Sequence, residues 1–228
     1  MLTPRRHGAP PAAPLHHPSR REAFAFGAGL CAAAWFAPQT ARAQGAPVEV
    51  AGVKFAPQVV LAGSTLPLNG AGIRYRFVVR VYAAGLYLAT KATTPEAALA
   101  AAGPKRLHVV MLREIDANEL GRLFTRGMQE NSAREEFSKS VPGTLRMAEI
   151  FSTKKRLSPG ENFSVDWLPG TGTVVLVNGR PQGEPIKEPE FFNALLRIWL
   201  GPSPADESLK GALLGTPQRV QAGTPGQQ

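Results

Sequence analysis

Cysteine is almost absent: Cys31 stands alone. A chain with one thiol forms no internal disulfide and no thiolate metal cluster, so its stability rests on a hydrophobic core whatever its redox compartment. Histidine is nearly as scarce, and beyond residue 43 only His108 remains, between Leu107 and Val109. A lone imidazole among apolar neighbours reads as a core or edge residue. The acids show no ligand spacing either, so no metal and no cofactor is expected. A Gly-x-Ser-x-Gly turn is missing, which argues against nucleophilic hydrolysis. Gly70-Ala71-Gly72 lacks a third glycine in register and leads into a strand pattern, which argues against a dinucleotide cradle. No catalytic residue is assigned.

Long apolar runs are missing too. The nearly uncharged stretch from Phe24 to Ala37 falls short of the roughly 20 residues that a spanning helix needs, so no stable membrane anchor is expected. Arg20-Arg21 precede it and Ala41-Arg42-Ala43 follow it, the order of a positive region, an apolar region and a small-x-small cleavage site. Residues 1–43 are therefore predicted to be a signal peptide with an N-terminal extension, cleaved after Ala43, and the remainder to be periplasmic. The paired arginines leave both the general secretory and the twin-arginine routes open.

The formal charge is +9, from 26 basic and 17 acidic residues. Arg5, Arg6, Arg20, Arg21 and Arg42 against Glu22 stand before Gln44, which leaves 21 basic and 16 acidic residues and a charge of +5 beyond it. Those are scattered, with Lys154-Lys155-Arg156 the one basic run, and no basic face with interleaved aromatics emerges. Nucleic acid is not an expected partner.

What is present is strand pattern first and helix pattern later. Val48 to Phe55 and Val59 to Leu61 read as two short strands around a turn, and Ile73 to Leu88 as a long β-rich run, either two strands or one bent strand with a bulge near Ala83-Ala84-Gly85. Thr94-Pro95-Glu96 opens a short helix ended by Gly103-Pro104. Arg106 to Leu112 is a strand. Asp116 with Glu119, and Ser132 with Glu135, read as two capping boxes opening helices, the first running to about Met128. Pro142-Gly143 is predicted to separate the second from a third helix. Phe163–Leu168 and Thr173–Val177 make a hairpin around Pro169-Gly170-Thr171-Gly172. Pro189 to Leu200 is an aromatic-rich amphipathic helix, Pro204 to Leu214 a last short one, and residues 216–228 a disordered tail. This order predicts one α+β domain over residues 44–215, an antiparallel sheet covered by helices on one side.

In the β-rich run, Arg74, Arg76, Arg80 and Tyr82 have one parity and Tyr75, Phe77, Val79 and Val81 the other, so a regular strand would place three guanidiniums on one face. One reading is a solvated face. The other is that Arg74 points into an apolar cavity and forks onto a ligand carboxylate, with the Tyr82 hydroxyl as a second donor.

The stretch Leu68-Asn69-Gly70-Ala71-Gly72-Ile73-Arg74, continuing to Arg80-Val81-Tyr82-Ala83-Ala84-Gly85-Leu86-Tyr87-Leu88, closely resembles the chalcone isomerase-like superfamily, in particular its bacterial exported branch. The segments Phe191 to Gly201 and Leu209 to Gly215 resemble that family's C-terminal helices, so the likeness covers about residues 47 to 215. It implies an open-faced β-sandwich, a large antiparallel sheet covered by a layer of helices, with a ligand cleft between them. In the isomerases of the family an arginine after the glycine turn matches Arg74, and the place of a ketone-polarising threonine matches Tyr82. In its fatty-acid binders an arginine and a tyrosine at these places hold the carboxylate, the pattern found here. The isomerases use a further tyrosine beyond the strand matching Arg106–Leu112, whereas Tyr75, Tyr82 and Tyr87 all precede it.

The resemblance thus implies a non-catalytic periplasmic protein that holds a fatty acid or similar amphipathic carboxylate at Arg74 and Tyr82. Two alternatives stand beside it: an envelope structural or interaction protein without a small ligand, and an intramolecular lyase of chalcone isomerase type. Ligand identity and oligomeric state are not encoded in these patterns.

Overall fold

A computed structural model describes residues 45–218. The predicted signal peptide and all of the predicted tail beyond Gln218 lie outside the described residues.

The chain opens with three hairpins. β1 (Val48–Val50) and β2 (Val53–Phe55) pair around Ala51-Gly52, β3 (Gln58–Leu61) and β4 (Ser64–Arg76) around Ala62-Gly63, and β4 and β5 (Val79–Leu88) around Phe77-Val78. Ala51, Gly52, Ala62 and Gly63 all have positive φ, the backbone that matches the right-handed strand twist in two-residue loops. The segment from Val48 to Phe55 is thus itself a hairpin, and β4 begins nine residues before the predicted strand does.

Then come α1 (Pro95–Ala100), β6 (Lys105–Met111), a short β7 (Ile115–Asp116), α2 (Ala117–Asn131), α3 (Arg134–Ser152), β8 (Arg156–Leu157), β9 (Asn162–Leu168), β10 (Gly172–Val177), β11 (Arg180–Pro181), α4 (Pro189–Leu200) and α5 (Glu207–Leu213). The main sheet has seven strands in the order β11-β10-β9-β6-β5-β4-β3, every neighbour antiparallel. The helices cover one face. This is the expected α+β architecture, with the sheet curled over its helical layer. Between sheet and helices lies an edge-to-face aromatic cluster in which Phe124 touches Phe151, Phe163 and Trp199 with ring centroids 5.7–5.8 Å apart. The other face carries a smaller core of Phe55, Leu66, Leu68, Ala83 and Tyr87, to which the β1–β2 hairpin contributes Phe55.

Local signals held where tertiary packing agreed with them. Thr94 caps α1 by accepting from Ala97 N, and Asp116 caps α2 by accepting from Glu119 N. The second capping box does not form: Ser132 ends α2, Ala133 precedes α3 without a side-chain cap, and the Ser132 hydroxyl is buried without a partner. Nor does Pro142-Gly143 break the helix, because α3 runs through both. Packing outweighs the lost amide bond there: Thr144, Met147 and Phe151 are buried, and Gly143 lies so close to Phe191 and Ile186 that an added Cβ would sit 2.6 Å from each.

Two bulges in the β4–β5 ladder decide which side chains reach the helical face. Leu68 pairs with Tyr87 and Gly70 with Leu86, leaving Asn69 as an extra residue on β4. That shift puts Leu68 in the outer core while Gly70, Gly72, Arg74 and Arg76 turn inward. Asn69 is held by three bonds, donating to Ala92 O and Leu213 O and accepting from Ala92 N. Gly70 and Gly72 lie within the strand, and their missing Cβ atoms admit α5: at Gly70 a Cβ would fall 2.0 Å from the Ala212 carbonyl oxygen. The glycines therefore form a helix seat, not the turn expected of them.

The second bulge leaves Val81 unpaired, since Arg74 faces Tyr82 while Tyr75 faces Arg80. The Phe77-Val78 turn sets Arg80 opposite Tyr75 on the outer face and Val79 opposite Arg76 on the inner one, and the bulge returns Tyr82 to the inner face beside Arg74. The expected single face of Arg74, Arg76, Arg80 and Tyr82 is thus corrected: the turn at Phe77-Val78 removes Arg80 from it. No bulge occurs at Ala83-Ala84-Gly85, whose small residues instead admit the Phe55 ring, 2.6 Å from a Cβ built on Gly85.

The edge of β4 beyond β3 is covered by side chains. Tyr75 N donates to Asp206 Oδ2 at 2.8 Å, and the Gln218 amide closes two bonds with Ile73, accepting from its N at 2.7 Å and donating to its O at 2.8 Å. The tail expected to be structureless from Thr216 therefore includes a residue that caps a strand edge.

Candidate functional site

Arg74 and Tyr82 are direct cross-strand neighbours on the helical face. The guanidinium carbon lies 5.7 Å from the centre of the tyrosine ring, within the range of a cation–π contact. Tyr82 is 2% exposed. Its oxygen accepts the indole N–H of the fully buried Trp199 on α4 at 2.8 Å. An oxygen so engaged keeps its own proton to donate, and among the described residues nothing accepts it. Burial pushes the phenol up to about 12, with nearby Asp206 adding to the rise and Arg74 and the Trp199 bond opposing it. Tyr82 is consequently a neutral donor throughout the physiological range.

Arg74 offers a second donor. Its Nε is buried and has no partner, and among the described residues no carboxylate lies within 4 Å of its guanidinium. Asp206 is not available to it, because its two oxygens accept from Tyr75 N and Leu209 N. A buried charge-bearing donor without an acceptor is costly, and both donors of the pair are left without one among the described residues.

Both side chains line a cavity of about 140 Å³ whose walls include Leu120 and Phe124 from α2, Ile198 from α4 and Ala205 from the loop before α5. Asn131 fixes that loop, accepting from Ser203 N and donating to Ser203 O. Arg74 and Leu123 also border a wider groove of about 440 Å³ along Val79, Val81 and Ile115. Arg74 thus borders both an apolar-walled cavity between sheet and helices and a wider groove whose rim also carries Arg76, Arg113, Glu114, Asp116 and Glu119. A still larger hollow of about 960 Å³ lies on the outside of α2 and α3, among Arg122, Gln129 and Glu149. It has no buried unpaired donor to hold a ligand.

His108 lies on the opposite face of the sheet. Its Nδ1 is 2.8 Å from Ser164 Oγ and its ring packs edge-on to Phe55. Burial, with Arg106 nearby, pulls the imidazole down to about 4. It is neutral and cannot serve the Arg74 cavity. No cluster of three or more His, Cys, Asp or Glu side chains suited to a metal occurs among the described residues, and no described helix is long and apolar enough to cross a membrane.

A family model described as chalcone isomerase-like matches residues 47–215. The chain belongs to the chalcone isomerase-like family. Among solved structures it is similar to a fatty-acid binding protein of Arabidopsis thaliana, with a TM-score of 0.56 and 14% identity over 72% of this chain and 92% of that one. At that identity the likeness speaks for the shared fold. No curated protein sequence matches the chain.

The sequence pattern puts Arg74 and Tyr82 on one face but does not show the walls around them. Little of the Phe191–Trp199 helix lines the pocket. Only Ile198 of α4 does so, while Phe191, Phe192, Leu195 and Leu196 fill the general core and Trp199 acts through its indole N–H. The walls come mostly from α2, and the spacing of Leu120, Leu123, Phe124 and Gly127 on one helical face was the signal that marked them.

Proposed function

We propose that this protein is a non-catalytic carrier or sequestering module for a fatty acid or similar amphipathic carboxylate, held at Arg74 and Tyr82. The observation that supports it most is the pair of buried donors, Arg74 Nε and the Tyr82 hydroxyl, that share one cavity and lack acceptors. A carboxylate supplies two oxygens for two such donors, and bonds to an ionised partner are about twice as strong as neutral ones. The cavity, at about 140 Å³, suits the head group and a few methylenes. The remaining tail follows the groove along Val79, Val81, Ile115 and Leu123. The fold shared with a plant fatty-acid binding protein points the same way. In this reading the protein acts in the periplasm after cleavage behind Ala43, and an N-terminal sequence of the exported form beginning at Gln44 checks that part.

The binding test is to express residues 44–228, extract and identify the co-purified lipid, and repeat with Arg74→Ala. Losing charge-assisted bonds worth about 1.5–3 kcal/mol lowers retention by roughly 10- to 100-fold. Equal lipid occupancy in the two proteins rejects the anchor role.

A further inference from the structure

The β4–β5 turn is built against its own local chemistry. Phe77 takes φ +57, a conformation suited to glycine or asparagine. Phe77 and Val78 are also 91% and 83% exposed, the two most exposed large apolar residues described. The turn itself needs a positive φ at its first residue, as at Ala51 and Ala62, but it does not need a phenyl ring there, and two bare apolar side chains side by side bring nothing to the isolated fold. Around this tip stand guanidiniums. Arg80 and Arg113 are exposed, line a groove beside Val78 on the outer face and have no carboxylate within 4 Å among the described residues. On the inner face Arg76 makes one loose contact, 3.8 Å to Glu119. The other nearby acids are engaged elsewhere: Glu114 with Arg156, and Asp116 in capping α2.

We infer that the Phe77-Val78 tip is a docking finger for an anionic phospholipid bilayer. The two apolar side chains enter the acyl boundary, and Arg76, Arg80 and Arg113 meet lipid phosphates at headgroup level. An apolar protrusion ringed by cations matches an interface that is greasy inside and negative at its rim, while two residues are too small a patch for a standard protein–protein interface. Phe77 also borders the groove that leads to Arg74, so docking presents that groove's mouth to the lipid surface. The inference stands on the tip itself and does not require that the cavity bind a fatty acid.

Residues 44–228 are cosedimented with vesicles of phosphatidylethanolamine containing a quarter phosphatidylglycerol, and with vesicles of phosphatidylcholine alone. The protein is expected to bind the anionic vesicles more tightly and to lose that preference in high salt. Phe77→Asn with Val78→Ser, where asparagine suits the positive φ, weakens binding roughly tenfold or more. Arg80→Gln with Arg113→Gln removes the preference for anionic lipid. Val60→Ser, at an apolar residue 72% exposed on β3, leaves vesicle binding unchanged, and lipid retention measured on the same tip variants keeps failure of the ligand reading separate from failure of this one. As a check independent of the asparagine variant, F77W emission shifts to the blue on adding anionic vesicles. Binding no stronger than to neutral vesicles, or a tip variant that binds like the parent, overturns the inference. So does a concentration-dependent dimer lost in the tip variant without any vesicle binding, because a second copy would then be the occupant.

Discussion

The two faces of the main sheet each carry a polar cluster, and they differ in one respect. In the outer cluster around Arg106 each of these groups is answered: Arg106 forks onto Asp166 at 2.7 and 2.5 Å, His108 meets Ser164, and the Tyr87 hydroxyl donates to Ala56 O. On the inner face Arg74 Nε and the Tyr82 proton are left over. Both clusters contain an arginine, a tyrosine and a hollow, since the outer one also borders a space of about 390 Å³. Composition and pocket size therefore do not tell them apart. Hydrogen-bond satisfaction does: a closed set of bonds holds strands together, whereas an open set awaits a partner.

The largest expected effect tests the closed set. Asp166 is 3% exposed in its side chain and Arg106 21%, so Asp166→Ala leaves a mostly buried guanidinium without its counter-ion. Breaking such a pair from one side costs about 3–5 kcal/mol, the low end being expected here because Arg106 keeps some contact with water. Urea unfolding measures the loss. Lipid retention per folded molecule is expected to stay at the parental level, and a matching fall in retention would mean that the two faces are not independent.

Next in size is a pH dependence from the same face. The free imidazole titrates near 6.5, while in the folded chain burial and Arg106 hold His108 at about 4. Above 6.5 both folded and unfolded chains keep it neutral, and the stability is fully present. As the pH falls from 6.5 toward 4 the unfolded chain takes up a proton that the folded chain refuses, so stability declines by at most about 3 kcal/mol. His108→Gln removes that contribution and flattens the acid arm of a stability curve relative to the parent. Parallel curves for the two proteins would show that the imidazole is not held neutral.

The difference between the faces also explains what the sequence could and could not reveal. Strand and helix patterns, the side-chain caps of α1 and α2 and the Pro169–Gly172 hairpin were legible because they depend on neighbours along the chain. Arg74 and Tyr82 were legible through family likeness. The face assignment of Arg80 was not, because the two-residue turn at Phe77-Val78 sets it opposite Tyr75, while Tyr82 reaches Arg74 only through the unpaired Val81, which nothing local marks as a bulge. Pro142 and Ser132 misled for the converse reason: their local preferences were strong, but the contacts of Gly143, Thr144 and Met147 decide the path of α3. Gly70 and Gly72 read as a turn until α5, some 140 residues later, is seated on them. A role defined by a distant partner is invisible to periodicity.

The smallest effect sharpens the comparison most, because it asks whether the inner face is open by design. Tyr82→Phe removes one neutral donor from the site, a change of about 1 kcal/mol, and lowers lipid retention about fivefold. Trp199→Phe touches no wall position nearer the guanidinium than before, yet it releases the Tyr82 oxygen from the bond that fixes it as an acceptor at 2.8 Å. The hydroxyl is then free to rotate, and part of its time is lost to the ligand. Retention in Trp199→Phe should therefore fall by less than in Tyr82→Phe, and the double variant should be no worse than Tyr82→Phe alone, since the indole acts only through the hydroxyl. Additive losses would assign the indole a separate part in holding the ligand, and the inner cluster would then be a three-sided pocket instead of two donors waiting for one carboxylate.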